Sequence, residues 1–173
     1  MMMMMDYNNA FASDCQLVAM DGTTVLIDGG ANVAEFYRLL VSIRQGTLQT
    51  WKLRNSTTAD WQNLSVQVDW VNTGIIDMNN NNNDNDNNNN LSIEGCDLFQ
   101  LEEEDGLIRQ VRQLELKIGG VLLQDPEWFK MLATALRASG GGTGGVELIL
   151  DLLGRQVNNA FFFSSSSSSS STK

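Results

Sequence analysis

The chain has 173 residues, 11 basic against 21 acidic, a formal net charge of −10 and no histidine. Without histidine, Ser-His-Asp and Cys-His nucleophile systems, His-ligated metals and imidazole proton shuttles are excluded, so acid/base work falls to carboxylates, Tyr, Lys or Cys. No basic cluster follows a phosphate backbone or an anionic lipid surface, which argues against nucleic-acid and membrane partners.

Met1–Met5, the Asn/Asp run 79–90 and the Ser-rich end of the chain are low in complexity, and the remainder suits one modest domain. Cys15 and Cys96 form neither a CxxC pair nor a disulfide framework, so a reducing compartment fits best. Five methionines followed by Asp6 lack a basic n-region and a long apolar h-region, and no apolar stretch is long enough to span a bilayer. The expectation is a cytoplasmic protein, or an organellar one if a targeting segment precedes this sequence.

Phe11–Val25 reads as a hairpin around Asp21-Gly22. After Gly29-Gly30, the residues Val33, Phe36, Tyr37, Leu40 and Val41 recur at helical spacing over 31–44. Trp51 and Leu53 alternate with Lys52 and Arg54, and Leu64, Val66, Val68 and Trp70 alternate with polar residues, so both stretches read as strands buried on one face. Ile93, Gly95, Asp97, Phe99 and Leu101 share a face of the next strand; a turn at Glu102–Gly106 and a returning strand Leu107–Ile118 complete an antiparallel meander.

The Asn run reads as a disordered loop insertion, and its Asp84-Asn85-Asp86 lacks the Gly and closing Glu of a calcium loop. Asp125-Pro126 starts a helix striped by Trp128, Phe129, Leu132 and Leu136. The glycine-rich segment 139–145 reads as a linker, since it lacks the Lys-Ser/Thr of a phosphate-binding loop. A last amphipathic helix over 146–160 and a flexible tail over 161–173 follow.

Read together, FASDCQLVAMDG, GGANVAEFYRLL, LSVQVDWVNTG and IEGCDLFQLEEEDGLIRQVRQLEL resemble the nuclear transport factor 2-like superfamily, in particular its SnoaL-like branch. The most specific piece is Gly95-x-Asp97-x-Phe99 followed by Asp105-Gly106-x-Ile108. The resemblance implies an α+β, cone-shaped fold over 7–138, a curved antiparallel sheet wrapped around helices with an apolar pocket inside, here carrying a C-terminal helical extension. It departs from the family at the N-terminus, where a long first helix is usual. In the superfamily's ketosteroid isomerases, the strand position matching Asp97 holds a neutral aspartic acid that donates to an oxyanion. Asp21 is the residue nearest the family's general base, about two residues out of step, although before Gly22 a plain turn residue is the simpler expectation.

The expected pocket wall comprises Phe36, Trp51, Val66, Val68, Trp70, Phe99, Leu101 and Arg112. Arg112 shares the Ile108, Leu114 and Leu116 face under strict alternation, which would pair it with Asp97 and keep that carboxyl ionised. Trp61 is grouped with Trp51 and Trp70 as core or pocket wall, and Cys96 should point away from the cone. No metal site and no cofactor are implied. Three functions stay open: an apolar cone binding a small hydrophobic molecule; cofactor-free isomerisation or cyclisation with Asp97 and Asp21 catalytic; and a scaffold or homodimer joined through the sheet face.

Overall fold

The computed structural model describes residues 10–43, 50–53, 58–77 and 90–165. The Asn run before Asn90 and the Ser-rich end beyond Ser165 lie outside the described residues. β1 (Phe11–Val18) and β2 (Val25–Asp28) form the expected hairpin, followed by α1 (Gly30–Ser42). Then come β3 (Thr50–Leu53), β4 (Thr58–Asp60), β5 (Ser65–Asp77), β6 (Asn90–Leu101), β7 (Ile108–Ile118), β8 (Val121–Leu122), α2 (Pro126–Ser139) and α3 (Gly142–Ser165).

The strands make one sheet in the order β2-β1-β7-β6-β5-β3, with β4 on β5 and β8 on β7. β5, β6 and β7 form the antiparallel meander read from the alternation. β1 lies parallel to β7, so the sheet is mixed rather than antiparallel throughout. No local pattern records a pairing between strands so far apart in the chain.

One face of the sheet is the core. Val33, Phe36, Leu39 and Leu40 of α1 are buried with Leu17 of β1, Trp70 of β5, Ile93 of β6 and Val111, Leu116 and Ile118 of β7. Phe129, Leu132 and Leu136 of α2 and Val146 and Ile149 of α3 close the same cluster. Burial of this continuous apolar surface is the main driving force for the fold.

α2 starts as the residues dictate: Asp125 accepts a hydrogen bond from the Glu127 amide at 2.9 Å, Pro126 occupies the first turn, and left-handed Gly140 ends the helix. α3 then begins at Gly142, inside the segment read as a linker, and runs to Ser165. The small residue at Gly145 lets that first turn approach Ile43 and Leu136 closely. Among the described residues, no helix is long and apolar enough to cross a membrane.

Candidate functional site

The register across the meander decides which side chains meet on the inner face. Val68 lies opposite Asp97 and Asp97 opposite Gln113; Trp70 lies opposite Gly95 and Gly95 opposite Leu116; Asn72 lies opposite Ile93 and Ile93 opposite Ile118. The β6–β7 ladder shifts twice, between Cys96 and Asp97 and between Gln100 and Leu101. Each shift inserts an extra residue in β7, Leu114 and Arg109, and each reverses the side to which the following side chains point. Ile108, Val111, Gln113, Leu116 and Ile118 therefore share the inner face although their spacing is not even.

This overturns the expected position of Arg112. Strict alternation from Leu116 would turn it inward, but the bulge at Leu114 puts Gln113 there instead. The Arg112 guanidinium packs beneath the β1–β2 turn, where a Cβ added to Gly22 would lie 2.6 Å from Nη2. Among the described residues, Asp97 has no ion pair, and its carboxyl is governed by burial and hydrogen bonds.

Asp97 is fully buried. Trp70 Nε1 donates to its Oδ2 at 2.7 Å, and Gln113 Nε2 donates to its Oδ1 at a long 3.4 Å. Gly95 makes the first bond feasible: a Cβ there would sit 2.4 Å from Trp70 Cζ2, so the indole lies directly over the glycine on its way to Asp97. Burial pushes the Asp97 carboxyl up to about 6, with Trp70, Tyr37 and Gln113 opposing the rise.

Tyr37 comes from α1, stacked on Phe11 at 6.2 Å and tilted against Phe99 at 6.0 Å. Its buried hydroxyl lies near Asp97 but falls short of a well-formed hydrogen bond. Burial, with the Asp97 charge, raises the tyrosine well above its ordinary value. Asn72, two residues beyond Trp70 on the same face, is fully buried, with neither amide atom partnered among the described residues. The inner face thus gathers Asp97, Trp70, Gln113, Tyr37 and Asn72. Tyr37 and Asn72 were hidden within apolar patterns, and Gln113 behind the bulge. The three-residue gap between Val111 and Leu114 is the one signal that alternation breaks there.

Asp21 stays apart from this cluster. Its Oδ1 accepts from the amides of Thr23 and Thr24, both at 2.8 Å, and its Oδ2 accepts from the Thr24 hydroxyl at 2.5 Å. These bonds hold its carboxyl down at about 2, so the bonded turn carboxylate is a weak proton acceptor. Val66, Val68, Phe99 and Leu101 line the inner face half-buried. Phe36 packs on Phe129 with ring centroids 5.1 Å apart. The Trp51 side chain lies outside the described residues, and Trp61, 82% exposed in the β4–β5 turn, is no pocket wall. Cys96 faces Asp69 on the opposite side, and burial with that hydrogen bond pushes its thiol up to about 12. Among the described residues, no group of His, Cys, Asp or Glu side chains could hold a metal ion.

A cavity of about 440 Å³ opens beside this cluster, between the β1–β2 turn, β7, β8 and the start of α2. Its wall includes Met20, Leu26, Leu116, Leu122, Leu123 and Phe129, with Gln113 reaching it from the cluster. Gln113 is therefore the link between the cavity and Asp97. A second cavity of about 340 Å³ lies between α1, α2 and β2, rimmed by Asp28, Glu35, Lys130 and Arg137.

Fold and site together describe an α+β domain with a buried carboxyl at the centre of its inner sheet face. No family model matches the chain, and no curated protein matches it. Among solved structures, it is similar to a protein of unknown function with a cystatin-like fold from Methylobium petroleophilum PM1, at 16% identity and a TM-score of 0.39 over 61% of this chain and 60% of that one. It is similar to a protein assigned as a SnoaL-like polyketide cyclase from Jannaschia sp. CCS1, at 12% identity and a TM-score of 0.42 over 65% and 69%. It is also similar to a hypothetical protein with a ketosteroid isomerase-like fold from Catenulispora acidiphila DSM 44928, solved in complex with trimethylamine, at 11% identity and a TM-score of 0.37 over 61% and 69%.

Proposed function

We propose that the protein binds a small, predominantly apolar molecule in the cavity beside Gln113. The observation that carries this reading is the cavity itself: most of the residues that line it are apolar, and one buried amide, that of Gln113, is available to orient a guest. Leu116, Leu122, Leu123 and Phe129 would supply the affinity, and Gln113 the direction. Asp97 stands behind the amide, out of reach of bulk water.

The enzymatic alternative, cofactor-free isomerisation or cyclisation, keeps Asp97 and Tyr37 as candidate proton donors to a developing oxyanion. It draws no support from Asp21, whose oxygens are occupied in the turn, and it would need another base. Native mass spectrometry of the purified chain, compared with the denatured chain, tests the binding reading. A small apolar molecule released on unfolding is the expected result. A chain that is empty as purified and binds no member of a panel of mono- and bicyclic hydrocarbons and ketones would overturn it.

A further inference from the structure

Beside the Tyr37 hydroxyl, which lies near the carboxyl without a well-formed hydrogen bond, each Asp97 oxygen accepts from one described donor, and the two donors differ in kind. The Trp70 indole N–H is a donor with no acceptor atom, so its bond at 2.7 Å keeps one sense whatever the carboxyl does. Gln113 carries both a donor and an acceptor on one amide, and its 3.4 Å contact is long enough that little is lost when the amide turns over. Gln113 is also the described partner of Asp97 that reaches the cavity wall. Whichever amide group faces Asp97, the other is free to face the guest.

We infer that Gln113 relays the protonation state of Asp97 into the cavity: an ionised carboxyl takes the amide NH₂ and leaves the carbonyl to receive a donor-bearing guest, whereas a protonated carboxyl donates to that carbonyl and leaves the NH₂ for a guest with an acceptor oxygen. Gln113 is thus a specificity-determining residue of the cavity proposed above, and the inference rests on that reading. No atom is transferred to the guest; the proton moves between Asp97 and solvent, and the amide turns.

Other groups face the same space. Tyr37 on α1 is raised well above its ordinary range and Cys15 on β1 is pushed up to about 11, while Cys96, on the opposite face of β6, is pushed up to about 12, so none of them changes charge near pH 6. Glu115 and Asp125 border the cavity, the first paired with Lys117 at 2.9 Å and the second capping α2. A substitution at Gln113 leaves both in place and separates their effect from the relay.

Two nearly isosteric bicycles read the switch: indole, which donates and does not accept, and 1-indanone, which accepts and does not donate. Their dissociation constants are measured by NMR titration of the full chain at pH 5 and pH 8. The wild type is expected to shift its preference toward 1-indanone by about fivefold or more on going to pH 5, the size of one neutral hydrogen bond. Asp97→Asn, whose amide donates to the Gln113 carbonyl at every pH, should hold the pH 5 preference throughout, and Gln113→Leu should show no pH dependence. Equal preference at both pH values in a wild type that binds both probes would overturn the relay and leave the cavity reading standing. Failure of the wild type to bind either probe would overturn both.

Discussion

Burying a carboxyl among aromatic rings makes the folded chain hold a proton that the unfolded chain has already released. Asp97 titrates near 6 in the fold against an ordinary 3.8, so between those values the native state binds more protons and stability falls as pH rises. The contribution is fully present below pH 4 and lost by about pH 6.5, and the shift corresponds to about 3 kcal/mol at most. Urea denaturation of the wild type and Asp97→Asn across pH 4–7 should show the difference between them growing in the variant's favour over that window; a constant difference would contradict the buried carboxyl. Asp21 has the opposite sign, since its lowered carboxyl contributes stability above pH 4 that is lost as pH falls toward 2. Gly95→Ala should drive the Trp70 indole off its bond and destabilise by about 1–3 kcal/mol, seen as a lower urea midpoint and altered tryptophan emission. The Gly95-x-Asp97 spacing was legible in the sequence because both residues sit on one regular face. Arg112 was misplaced because its orientation depends on a bulge two residues away, and the Tyr37 hydroxyl was invisible because its ring fits an ordinary helical stripe.

The two bulges in β7 turn a polar and apolar mixture into one inner face, so this strand carries the most consequence per residue. Deleting Leu114 would remove the extra residue and leave Gln113 inward and Arg112 outward in regular pairing. The expected outcome is a chain that still folds cooperatively, with Gln113 kept against Asp97 and only the local bend of β7 lost. Circular dichroism with thermal melting checks it, and loss of the cooperative transition would show that the bend itself is needed to close the core. α2 depends on simpler chemistry: Asp125→Ala should cost about 1 kcal/mol through the lost cap, measured by urea midpoint. Elements with a regular period, the β5–β6–β7 meander, α1 and α2, could be read from the sequence. α3 was read short because a glycine run carries no helical preference, and packing against Ile43 and Leu136 overrides that local weakness.

At the scale of the molecule, the cavity depends on pieces distant in sequence: the β1–β2 turn, β7 with β8, and the first turn of α2. The parallel β1–β7 pairing carries the hairpin to the side of β7, and the packing of Phe129 on Phe36 holds α2 over it. Neither contact leaves a trace in any short window of sequence, which is why most of the residues that line this cavity were not legible there. The central claim is that this space receives an apolar guest. Methyl NMR titration with naphthalene, on the wild type and on Ala19→Trp, whose indole would occupy the same space, tests it most directly. The account predicts saturable shifts at Leu116, Leu122 and Leu123 in the wild type, weakened at least tenfold in a variant of unchanged fold. Absence of those shifts, or equal binding by both proteins, would contradict it.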